Sequence, residues 1–303
     1  MLCIMNDNFF SHTKHIALLL ILAGSFPSCQ KEDINPDKYR MSKILYFARS
    51  TDAEPVEGVE YSYDTSGNMV KESFINYKPS AGCYMYFGYE YSGNNKIKME
   101  LFSKDKENFK LSRYYDFIYE NSRLVREECR SDKGLLLSTM NYEFQGGNMV
   151  REYFFEPDYG ISKEVKYTYD SKNRLTLEEF DTSDIKEVKY AKYIYDDDGR
   201  DNKLEYYNPD WHLIESVEKI YNGHSKLPVR ELHFDKDGSQ IFQYQHFYDK
   251  RGNLTETRLN DGCSLFKRKY DGGLLMEEIH YFDPVKYKDC SENGMTRYEY
   301  QKQ

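Results

Sequence analysis

Seven glutamates, Glu72, Glu100, Glu128, Glu152, Glu178, Glu256 and Glu278, each follow a recurring aromatic residue by eight or nine places. Carboxylates paired at about 5–9 Å can hydrolyse a glycosidic bond, one as acid and the other as nucleophile or base. A residue repeated once per structural unit is normally a ladder on a solvated sheet face, so a glycoside hydrolase is the lesser alternative and no enzymatic activity is expected. The single tryptophan, Trp211, stands in "NPDWHLI" close to Tyr206, Tyr207 and His212. An exposed indole beside tyrosines can stack a sugar ring; the same Trp can instead plug the rim of a sheet.

Other constellations lead to less. Asp196, Asp197 and Asp198 in "YDDDGRDN" lack the alternating spacing and distal Glu of a calcium loop, and turn chemistry explains them better. His212, His224, His233, His246 and His280 are scattered, with no HExxH pattern and no serine in a nucleophile elbow. Cys83, Cys129, Cys263 and Cys290 show no CxxC spacing, so neither a metal site nor a cofactor is expected. In a meander Cys83 and Cys129 would stand three strands apart, about 14 Å, too far to bridge. Cys263 and Cys290 fall nearer one sheet end, leaving that bridge open, although free buried thiols are the plainer reading.

Covalent chemistry of another kind is written at the N-terminus. The apolar run "IALLLILAG" at 16–24 is too short to span a bilayer but suits a signal-peptide core. It leads to Ser28-Cys29, which resembles the lipobox of bacterial lipoproteins, where cleavage leaves Cys29 as the lipid-attachment residue. Phe26 and Pro27 depart from that pattern, and a secretory signal cut near Gly24 is the alternative. Glu32-Asp33 resembles the signal that sends such lipoproteins to the outside of the outer membrane. The expected organisation is a signal peptide over 1–28, a lipidated tether over 29–40 and one domain over 41–303. The membrane partner is then reached through lipid alone.

The elements that must position these residues are hairpins. Tyr63, Tyr91, Tyr119, Phe144, Tyr169, Tyr195, Tyr221, Tyr248, Tyr270 and Tyr300 each stand at a strand end, all but the last just before a turn rich in Gly, Asn and Asp. Nine steps cover 237 residues, a period of about 26. A weaker half-period, as in "YYNPDWHLI" and "HFDKDGSQI", marks the turns at the opposite strand ends. Eighteen to twenty strands follow at about thirteen residues per step. No stretch past the signal keeps a helical period, so helices are expected to be scarce.

"YDKRGNL" at 248–254 and "YDTSGNM" at 63–69 resemble the signature of the YD-repeat (RHS-like) family, and the likeness runs through the mature chain. The resemblance implies repeated β-hairpins. The toxin-enclosing shell of large RHS proteins does not carry over, because the units are too few and Asp283-Pro284 is not followed by Gly.

The expected fold is all-β: a long up-and-down antiparallel meander of about ten hairpins, strongly curled or closed into a wide, water-soluble, porin-like barrel. In "VKYTYD" Val165, Tyr167 and Tyr169 share one face while Lys166 and Thr168 share the other. Neither face is continuously apolar, which argues against a membrane-inserted porin. A net charge of −9, from 42 Lys and Arg against 51 Asp and Glu, argues against nucleic acid as a partner. The reading reached is a surface-exposed lipoprotein that binds an extracellular ligand, a glycan being the favoured one, with a structural or adhesion module for another envelope protein as the alternative.

Overall fold

The computed structural model describes residues 39–77, 82–105, 108–182, 188–260, 262–281 and 291–302. The expected signal peptide over 1–28, Cys29 and Cys290 lie outside the described residues. The wall opens with β1 (Tyr39–Phe47), β2 (Glu57–Tyr63), β3 (Met69–Asn76), β4 (Gly82–Ser92) and β5 (Asn95–Asp105). It continues through β6 (Asn108–Glu120), β7 (Arg123–Ser131), β8 (Leu136–Gln145), β9 (Asn148–Glu156) and β10 (Gly160–Tyr169). Then come β11 (Leu175–Thr182), β12 (Tyr190–Tyr195), β13 (Asp201–Tyr207), β14 (Leu213–Tyr221) and β15 (Pro228–Asp235). The last five are β16 (Gln240–Tyr248), β17 (Leu254–Leu259), β18 (Ser264–Asp271), β19 (Leu274–Tyr281) and β20 (Glu292–Lys302). No helix occurs among the described residues. Tyr39 and Arg40, expected at the end of the tether, already belong to β1.

Every strand pairs antiparallel with its neighbours in sequence, and β1 pairs with β20 as well as β2, so the sheet closes into a barrel. Closure removes both unpaired edges, the aggregation hazard of a long meander. Twenty strands spaced by about 4.8 Å and tilted by about 40° make a circle about 40 Å across between backbones. Side chains cannot fill that width. Accordingly Phe117 is the only aromatic of the inner face below a tenth exposed among the described residues, and no large side chain is fully buried.

Turn chemistry explains the repeat. In the 63–69 unit Asp64 closes the loop with backbone bonds to Asn68 and Gly67, while its carboxylate accepts the Asn68 N–H at 2.8 Å. Gly67 takes φ +94°, a region closed to most side chains. The loop returns at Asp170, Asp196 and Asp249. The anchor that precedes it sits at a β-bulge in hairpin after hairpin. Eight anchor hydroxyls donate to a backbone carbonyl of the preceding strand, at 2.7 to 3.1 Å, as Tyr169 does to Met149 and Tyr195 to Leu175. Arginines complete the link: Asp170 holds Arg174, whose guanidinium covers the Tyr195 ring, and Asp196 holds Arg200 over Tyr221. The motif is therefore a fastener between consecutive hairpins. We call this end the anchor rim.

The opposite end, the far rim, uses the same loop at Asn208 and Asp235. Cys83 and Cys129 are free thiols. Cys263 is disulfide-bonded, which corrects the expectation that it would be free. A small apolar cluster of Leu45, Phe47 and Met295 backs the β1–β20 seam, where Gly294 takes φ +148° and a Cβ would stand 2.9 Å from the Phe47 carbonyl oxygen.

Candidate functional site

Strand register assigns each side chain to one of two faces, and desolvation tells which is concave. Burial pushes the hydroxyls of Tyr61, Tyr89, Tyr142, Tyr167 and Tyr193 well above the ordinary phenol range, and it lowers the Lys96 amine. On the other face, hydrogen bonds to neighbouring glutamates raise Lys98, Arg130 and Arg258. A concave wall surrounds its side chains with protein, so the tyrosine face is the luminal one.

The recurrent glutamates divide between the faces. Glu72, Glu152, Glu178 and Glu278 pair in register with luminal residues, whereas Glu100, Glu128 and Glu256 point outward. The outward ones join ion pairs, such as Glu128 with Arg126 and Glu256 with Arg258. Inside, tyrosine hydroxyls donate to carboxylates: Tyr89 to Glu72 at 2.7 Å, Tyr142 to Glu127 at 2.8 Å and Tyr193 to Glu178 at 3.1 Å. Glu178 is held above the usual carboxylate range, chiefly by burial and further by Glu152 two strands away, against the Tyr193 hydrogen bond. A single solvated ladder was expected; two ladders in different media are found.

The cluster expected around Trp211 is split by the wall. Tyr206 and Tyr207 are neighbours on one strand and face opposite ways. Tyr207 and Trp211 lie outside, where the indole stacks on Tyr190 with centroids 4.0 Å apart and planes 13° apart. Trp211 is 50% exposed, so its other ring face is open. His212 is exposed and is held by its backbone N–H to Asn208. Tyr206 points into the lumen beside Glu215, Val217 and His233. Sequence proximity missed Tyr190, whose place opposite Tyr207 is a matter of register.

Trp211 also breaks the turn rule. The loop at Asn208 places it at φ +60°, in the slot that Gly238 fills at the next far-rim turn and that Gly67, Gly199 and Gly252 fill at the anchor rim. Asn173 is the other non-glycine there, and Asn tolerates this region. A bulky residue does not, and such an outlier points toward function.

Among the described residues no group of three His, Cys, Asp or Glu could hold a metal ion. The aspartates at 196–198 are engaged otherwise: Asp196 and Asp198 both pair with Arg200, and Asp198 faces His224 at 3.3 Å.

No protein-family model matches the chain, and no curated protein matches it in sequence. Solved structures share its general course at low similarity. A porin-like protein from Bacteroides uniformis is 11% identical, with a TM-score of 0.34 over 86% of this chain and 98% of its own. A porin-like protein from Bacteroides vulgatus is 10% identical, with a TM-score of 0.30 over 86% and 98%. The TcdB2-TccC3-Cdc42 structure is 10% identical, with a TM-score of 0.35 over 82% of this chain, which spans only 17% of that one. Similarities of this size say nothing about function.

Proposed function

We propose that the chain is a non-enzymatic, surface-exposed lipoprotein of the YD-repeat kind, anchored through Cys29 to the outer membrane, whose barrel binds an extracellular glycan. One observation carries the binding role. Trp211 keeps a strained backbone in a slot that glycine fills elsewhere, and there it presents one open ring face on a Tyr190 support. Strain of that kind persists where the side chain is needed. A rigid, half-open indole suits the apolar face of a sugar ring.

The two rims also differ. The chain enters β1 at Tyr39, opposite Lys302 on the anchor rim. The far rim carries the five most exposed large apolar residues described: Leu135, Tyr159, Ile161, Trp211 and Ile241. Its aliphatic members favour the second reading, an adhesion module that docks another envelope protein at that rim.

The chain from residue 30, screened on glycan arrays beside Trp211→Gly, tests the first reading. Glycine relaxes the turn, so the variant is expected to melt no lower than the parent while glycan binding disappears. A parent that binds no glycan removes the reading. A reproducible envelope protein captured by the parent, but not by Leu135→Ser with Tyr159→Ser, would favour the second. Palmitate labelling that survives Cys29→Ala refutes the anchor.

A further inference from the structure

The lumen itself shows how this wall holds an ammonium ion. Lys96 on β5 carries its Nζ over the Phe117 ring, 4.3 Å from the centroid, and over the Tyr89 ring at 5.4 Å. Both lie within the about 6 Å over which a ring face attracts a cation. Burial opposes the charge of that amine, while Glu127 on β7 and Glu72 on β3 support it.

The same setting returns over β8–β12 without the lysine. Tyr142, Tyr167 and Tyr193 stand on alternate strands, with Glu152 and Glu178 on the strands between. Tyr167 donates to Glu152 and Tyr193 to Glu178, so each hydroxyl ties its ring to the preceding strand. Lys96 pairs in register with the anchor Tyr91; in the equivalent places, opposite Phe144 and Tyr169, stand Met149 and Leu175. Nearby arginines are engaged elsewhere, Arg151 with Glu143 and Glu164 on the outer face and Arg174 with Asp170 at the anchor rim. Burial and the field of Glu152 leave Glu178 above the usual carboxylate range, the reverse of what a paired cation produces. All five side chains are only half-buried and border the open lumen, where a solute can reach them.

Two carboxylates alone would name no occupant. The Lys96 setting does name one: an aliphatic ammonium held between ring faces and carboxylates. Strands two apart are separated by about 9–10 Å, so Glu152 and Glu178 call for two such groups on one flexible chain. We infer that the luminal wall over β8–β12 binds an aliphatic polyamine, with one ammonium at Glu152 and another at Glu178, each against a tyrosine ring. The inference is independent of the glycan reading, whose platform lies on the outer face.

Putrescine and spermidine are the probes, titrated calorimetrically into the full chain at neutral pH. At least one should bind the parent, and Glu152→Gln with Glu178→Gln should raise its dissociation constant at least tenfold. Leu175→Lys, which gives this stretch the lysine that β5 has, should do the same. Glu128→Gln with Glu256→Gln removes two charges from the outer face and should leave the affinity unchanged. A parent that binds neither amine overturns the site, as does an affinity that survives the luminal substitutions. An equal loss in the outer-face variant overturns it too, since net charge alone would then explain the binding. Should the luminal double variant fail to fold, Leu175→Lys decides. None of these outcomes bears on glycan binding by Trp211.

Discussion

The luminal wall from β2 to β12 and the wall from β13 to β19 share one turn chemistry and differ two residues before the anchor. In the first arc that position holds Tyr61, Tyr89, Phe117, Tyr142, Tyr167 and Tyr193; in the second it holds Lys219, His246 and Arg268. The carboxylates follow suit. Glu72, Glu127 and Glu178 accept from tyrosine hydroxyls, whereas Asp201 faces Lys219, Glu231 faces His246 at 3.8 Å and Glu278 is bonded to Arg268. Apart from the Lys96 amine near Glu72 and Glu127, the first arc meets its carboxylates with hydroxyl dipoles, and the second with Lys219, Arg268 and the His246 imidazole. The anchor, bulge and turn are indifferent to the change. Architecture is therefore written at the rim and chemistry in mid-strand, so either can change without the other.

The second arc offers the most damaging single change. Glu278 is 6% exposed, and Arg268 is its cationic partner; His280 also touches it, but burial lowers that imidazole and favours its neutral form. Arg268→Ala leaves a buried carboxylate without its guanidinium and is expected to cost about 3–5 kcal/mol in urea unfolding. Arg268→Met with Glu278→Leu removes both charges and should recover most of that loss. If the single and double variants are equally unstable, the pairing of charges is not what distinguishes this arc.

In the first arc the corresponding change is milder. Tyr193→Phe removes the hydroxyl that bonds Glu178, a neutral donor, and is expected to cost about 1–3 kcal/mol. Glu178→Gln alongside it should add little, because the amide has no charge left to compensate. A loss as large as that of Arg268→Ala would erase the difference between the arcs.

The same contrast shows what can be read from sequence. The repeat, the strand number, the turns and the alternation in "VKYTYD" follow from short-range chemistry, and the barrel carries them out. The face chosen by each glutamate does not. Glu72 and Glu100 both stand nine places after their anchors, but the loop after Tyr63 holds one residue more than that after Tyr91. One residue reverses every side chain beyond it, so Glu72 turns inward and Glu100 outward. Closure depends on β1 meeting β20 across the whole chain, which no local pattern encodes. Tyr206 and Trp211 were legible as aromatics in one hairpin; their separation by the wall was not.

Anchors should behave alike in both arcs. Tyr169→Phe in the first and Tyr248→Phe in the second each lose one hydrogen bond to a carbonyl, to Met149 at 2.8 Å and to Pro228 at 2.9 Å. Each is expected to cost about 0.5–1.5 kcal/mol, equal within error. Unequal costs would mean that the mid-strand chemistry reaches the rim.

The smallest effect carries the sharpest sign. Glu178 titrates above the ordinary carboxylate range in the folded barrel, so the folded state holds its proton more tightly than the unfolded chain does. Stability from that group is present in acid and is lost as pH rises through the folded value. Glu231 is opposite. Burial opposes its charge, but His246, Lys219 and His233 around it outweigh burial and hold it below the ordinary range. Its contribution is present at neutral pH and is lost as pH falls. Glu178→Gln should therefore gain stability over the parent as pH rises from about 4 to 7, and Glu231→Gln should lose it over the same span. Urea midpoints at four or five pH values suffice to see the two difference curves slope in opposite directions. Parallel slopes would show that hydroxyls and cations treat a luminal carboxylate alike, and the distinction between the arcs would be one of residue names only.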